Sequence, residues 1–157
     1  MRILAIDMGT GTQDILLFDS TQPVENSIKM VMPSATKIAE GRIRSATAAA
    51  APLLLTGVVQ GGGPCNWAIE DHLRAGGVAY ATPEAAQTID DDLDQVARMG
   101  VRVVSNDETK LLGDGVQRVE LKDLDLAAIR AALAAFDVSP ALDGIALACL
   151  DHGAAPP

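Results

Sequence analysis

A chain of 157 residues is long enough for one domain with a real core, and 48% hydrophobic residues exclude disorder. With 3% aromatic residues, that core is aliphatic and alanine-rich. A net charge of −9, without any Lys/Arg cluster to displace counterions, excludes nucleic acid as a partner.

The predicted elements begin at once. Arg2–Asp7 and Asp14–Asp19 are apolar runs bounded by turn residues, the pattern of strands covered on both faces. Met1 to Ile6 enters strand pattern directly, with no signal-peptide core ahead of it, and no apolar run approaches the roughly 18 residues that span a bilayer. A cytoplasmic protein with no membrane partner is expected. Lys29–Met32 is a third strand stopped by Pro33, and Thr36 to Ala50 is a helix weakened by Gly41.

Leu53–Val59 is a further buried strand, followed by "QGGGP" and a helix from Pro64 to Arg74. Val78–Ala81 is a short strand, and Thr82–Pro83 caps and opens a brief helix. Asp90–Met99 is a helix ended by Gly100, and Val101–Ser105 is the next strand. Val116–Leu121 is a strand leading into a helix over Leu124–Phe136, whose Leu126, Ile129, Leu133 and Phe136 form one apolar stripe. Gly144–Leu150 is the last strand. An N-terminal meander followed by alternating strands and helices predicts a mixed α/β fold with parallel crossovers.

The loop in "ILAIDMGTGTQDILLFD" joins the first two strands. It lacks the lysine of a P-loop, and strand follows where a dinucleotide fingerprint needs helix. Two readings stay open. Gly9 and Gly11 permit positive φ and close approach, so the loop amides, with the Thr10 and Thr12 hydroxyls, can converge on phosphate while Asp7 holds Mg²⁺. Equally, the segment is an ordinary glycine-rich hairpin turn.

The same stretch resembles the first phosphate motif of the actin, heat-shock chaperone and sugar-kinase ATPases: strand, Asp-x-Gly-Thr, strand. That resemblance implies a ribonuclease-H-like mixed sheet, an antiparallel meander and then parallel strands, with helices on both faces. It also implies ATP bound between two lobes, with Mg²⁺ near Asp7. "TGVVQGGGPCNWAIEDHLRAG", "YATPEAAQTIDDDLDQVARMGVRVVS" and "ACLDHGAAPP" resemble a narrower family labelled putative pyruvate formate-lyase activating enzyme. By this resemblance residues 1–157 are a single actin-like lobe, the N-terminal half of a two-lobe protein. Its partners would be nucleotide and either the second lobe or another copy of itself. Radical S-adenosylmethionine activases need three closely spaced cysteines, whereas this chain carries Cys65 and Cys149 alone.

Other positions carry competing readings. Gly61, Gly62 and Gly63 open a helix after a strand, which suits a second anion site or a simple close-packed connection. Cys65 in that first turn is either a thiol of lowered pKa or a small buried residue. Asp151 follows the last strand, where it can border a ligand cleft as a base, and His152 beside it is a loop residue. Asp90–Asp94 is expected to cap a helix rather than to hold a metal, His72 to be exposed, and Trp67 to pack in the core. The expected function is a Mg²⁺-dependent ATP-binding lobe of an actin-like ATPase or kinase-like protein. The alternative is a non-catalytic protein-binding module linked to activation of another enzyme.

Overall fold

The computed structural model describes residues 1–59 and 63–149. Their contacts divide into two compact units, one of residues 1–35 with 124–149 and one of residues 36–59 with 63–123. Gly61, Gly62, Leu150, Asp151 and His152 lie outside the described residues.

In the first unit, strands β1 (Arg2–Met8), β2 (Thr12–Asp19), β3 (Ile28–Pro33) and β8 (Gly144–Cys149) form a sheet of order β3-β2-β1-β8. The β1–β2 and β2–β3 pairs are antiparallel, and β8 runs parallel to β1 with Ile3 opposite Gly144 and Asp7 opposite Ala148. This is the meander-then-parallel sheet predicted above. Period-two alternation turns Leu4, Ile6, Met8, Ile15 and Leu17 to one face, where Ile129 and Leu133 of helix α6 (Leu126–Ala135) join them in a buried cluster. Asp125 caps α6, its carboxylate accepting from the Ala128 amide at 2.9 Å. Phe136 follows the last helical residue and is 79% exposed, so it leaves the stripe its spacing predicts.

The second unit holds a separate, all-parallel sheet of β4 (Leu53–Gly57), β5 (Ala79–Ala81), β6 (Val101–Val103) and β7 (Gln117–Leu121), in the order β6-β5-β4-β7. Its helices are α1 (Ala35–Ala48), α2 (Gly63–Arg74), α3 (Pro83–Gln87), α4 (Leu93–Arg98) and α5 (Glu108–Leu111). Leu53, Leu54 and Leu55 are all fully buried, as a strand covered on both faces requires. The α3 cap is as predicted, with the Thr82 hydroxyl accepting from the Ala85 amide at 3.4 Å and Pro83 opening the helix.

Helix α4 starts later than its composition suggests. The Asp90 carboxylate accepts from the Asp92 amide at 2.9 Å, and Asp92 in turn accepts from Asp94 at 2.9 Å. That chain of turns places the cap at Asp92 and leaves Asp90 and Asp91 outside the helix. Among the described residues, no helix is long and apolar enough to cross a membrane.

Glycine at 57 is a geometric requirement. Its φ is +74°, and a Cβ there would lie 2.2 Å from the Leu121 carbonyl oxygen of β7. Gly41, inside α1, has nothing within 4 Å of the same position. Gly57→Ala should therefore cost about 3 kcal/mol through backbone strain and clash. By contrast, Gly41→Ala should stabilise by about 0.5–1 kcal/mol. Urea unfolding of both variants measures the two opposite signs.

Candidate functional site

The β1–β2 hairpin tip, with the end of β3 beside it, lies within the first unit. The Gly9 amide donates to the Thr12 carbonyl at 3.0 Å and closes the loop. Neither Gly9 nor Gly11 adopts positive φ, so conformational freedom is not what these glycines supply. At Gly9 the need is space, because a Cβ there would sit 3.0 Å from the Thr12 oxygen. One on Gly11 would meet nothing within 4 Å, which leaves that side of the tip open.

Two loop carbonyls are tied to the residue after β3. The Ser34 hydroxyl donates to the Thr10 carbonyl at 2.8 Å, and the Ser34 amide donates to that of Gly11 at 3.2 Å. The Gln13 side-chain amide adds a bond to the Pro33 carbonyl at 2.8 Å. Among the described residues, the Thr10 and Gly11 amides have no hydrogen-bond partner. Sequence reasoning missed Ser34, because a lone serine after a strand carries no motif.

Asp7 lies within β1, on the face opposite the Leu4–Ile6–Met8 core, and is exposed. Strand register sets Asp14 directly across from it, also exposed. The Thr12 hydroxyl donates to the Asp14 carboxylate at 3.5 Å. Among the described residues, neither aspartate has an ion-pair partner. A depression of about 510 Å³ runs along this face, lined by Asp7, Asp14, Ala5, Leu16, Val31 and Ala148 among others. The structure thus brings Asp7, Gly9, Thr10, Gly11 and Thr12 to one end of one sheet.

Gly63 is the first residue of α2, in the second unit, and a Cβ there would lie 3.8 Å from the Trp67 ring. Trp67 is 62% exposed, which corrects its expected place in the core. The buried stripe of α2 is Cys65, Ala68, Ile69 and His72, and position 67 falls outside that stripe.

His72 is the converse correction. It is fully buried, with Nδ1 3.0 Å from the Thr47 hydroxyl and Nε2 3.2 Å from the Val78 carbonyl. A carbonyl only accepts, so Nε2 carries the proton. The missing side chain of Gly77 makes room for the ring, since a Cβ there would lie 2.4 Å from Nε2.

Cys65 resolves to the buried reading. Its thiol donates to the Thr36 carbonyl at 3.3 Å, and burial, helped by the nearby Glu40 charge, pushes its pKa up to about 11. Cys149 on β8 is exposed and free. Among the described residues, no group of three or more His, Cys, Asp or Glu side chains is arranged to hold a metal ion.

Together these features define an α/β protein of two sheets, with a glycine–threonine hairpin whose tip amides are open. A family model described as "Putative pyruvate format-lyase activating enzyme (DUF1786)" matches residues 60–157, more than half of the chain, and the chain belongs to this family. No curated protein and no solved structure matches it. An iron–sulfur cluster of the radical activase type does not fit these residues, because Cys65 is held protonated in a core and Cys149 is the only other cysteine. Iodoacetamide at pH 8 should therefore label Cys149 within minutes and Cys65 only after unfolding. Mass spectrometry reads one adduct on the native chain and two in urea.

Proposed function

We propose that this chain is the phosphate-binding lobe of a nucleotide-binding protein of the actin and sugar-kinase type, with ATP and Mg²⁺ as its ligands. The observation that carries this reading is the joint placement of Asp7 and the open tip amides at the end of β1, where β8 runs parallel beside it. Parallel α/β sheets receive ligands at the carboxyl ends of their strands.

Each residue then has a role. The Thr10 and Gly11 amides donate to phosphate oxygens, and the Thr10 hydroxyl adds a donor at the same tip, while that of Thr12 is already given to Asp14. Asp7 holds Mg²⁺, and Asp14 opposite shares the load. Two like charges facing each other across a ladder repel, and a cation between them removes that cost. Two carboxylates and the ligand's own phosphates are the usual donor set for this ion. When bound, Mg²⁺ neutralises phosphate charge, and transfer then needs little beyond positioning.

The adenosine side would come from a second lobe or a second copy of the chain. The family description adds a setting, the activation of another enzyme, in which an ATP-dependent lobe would act indirectly. A purely protein-binding module is the competing reading, and nucleotide binding separates the two.

Half a cleft buries little of its ligand, so calorimetry on residues 1–157 should give an ATP dissociation constant in about the millimolar range with magnesium present. Asp7→Asn should weaken it about tenfold, near 1.4 kcal/mol, with an unchanged melting temperature. Equal affinity for both proteins would remove Asp7 from the site.

A further inference from the structure

The residue that orients the hairpin tip is not in the tip. Ser34 is 2% exposed, one residue beyond β3, and it engages two consecutive loop carbonyls, Thr10 through its hydroxyl at 2.8 Å and Gly11 through its amide at 3.2 Å. Every described peptide bond is trans, and in a trans peptide the carbonyl and the next amide point in opposite directions. Drawing the Thr10 carbonyl onto Ser34 therefore turns the Gly11 N–H away from Ser34, where nothing in the described structure accepts it. Without the hydroxyl, the Thr10–Gly11 peptide is freer to rotate, because Gly11 has no side chain and nothing lies within 4 Å of where its Cβ would be.

We propose that Ser34 is a positioning residue that presets the Gly11 amide for an anion, and that the anion is a di- or triphosphate rather than a carboxylate. The inference rests on the phosphate reading of this loop. A lone carboxylate can be held by a single amide pair, whereas consecutive amides beside an Asp7–Asp14 pair suit a ligand that brings several oxygens and its own cation. Fixing the peptide before binding removes the ordering cost from the binding step. The backbone bond from the Ser34 amide survives any side-chain change, so truncation should loosen the tip without unfolding the sheet.

The test compares wild type, Ser34→Ala and Ser34→Thr by calorimetry with magnesium pyrophosphate and with acetate, alongside ¹⁵N relaxation of Gly11. Ser34→Ala should bind magnesium pyrophosphate about tenfold more weakly, the threonine variant should recover most of that loss, and Gly11 should gain mobility only in the alanine variant. Acetate should bind none of the three. Wild-type affinity in a folded Ser34→Ala protein, or no recovery in a folded Ser34→Thr, overturns the role of Ser34 while leaving the phosphate site standing. A flat pyrophosphate titration with wild type overturns the phosphate reading itself and this role with it. If the alanine variant does not fold, Ser34→Cys keeps the volume, weakens the donor and is judged by the same outcomes.

Discussion

Strand β1 is hydrogen-bonded on both sides, antiparallel to β2 and parallel to β8, and this double pairing locates everything else in the first unit. Its start is fastened to the β8 side by a reciprocal contact, the Arg2 amide donating to the Asp143 carboxylate at 2.7 Å and the Asp143 amide to the Arg2 carbonyl at 2.9 Å. From that anchor, period-two alternation sends Leu4, Ile6 and Met8 into the α6 core and Asp7 to the other face. A slip of one residue would bury Asp7 and expose Leu4, Ile6 and Met8, so the hydrophobic core itself enforces the position of the carboxylate. Parallel neighbours cannot be joined by a tight turn. Here the connection from β3 to β8 contains the whole described second unit and then α6.

How legible was this in the sequence? The hairpin, its partner β8 and the Thr82–Pro83 cap follow from local signals: apolar runs, turn residues and a hydroxyl before a proline. Which strands share a sheet did not follow, because alternation of strand and helix predicts crossovers without saying where one sheet ends. The short helix Glu108–Leu111 and the 3-10 turn Val24–Asn26 have too few residues to show a period. His72 and Trp67 both depart from expectation. Charged neighbours predict an exposed histidine and residue type a buried tryptophan, while the 65-68-69-72 spacing on α2 marks position 72 as inward and leaves 67 outside.

The site was legible in part. Asp-x-Gly-Thr between strands pointed to the tip, and the structure places Asp7 and Gly9–Thr12 together there. The glycines act differently from the expected positive φ, since neither adopts it and only at Gly9 does the lack of a side chain avoid a tight contact. Asp14 as the partner of Asp7 depends on register, and Ser34 depends on where β3 ends, so both are tertiary facts that no short motif encodes. In the second unit β4 lies between β5 and β7, a reversal of strand order that strand–helix alternation in the sequence does not locate.

The central claim is that the β1–β2 tip receives phosphate with a cation held by Asp7. The most direct measurement is a ¹H–¹⁵N titration of the chain with pyrophosphate, with and without magnesium. The largest shifts should fall on the Thr10 and Gly11 amides, with Asp7 and Asp14 following only when magnesium is present. Shifts centred elsewhere, or the same tip response with and without magnesium, would contradict it.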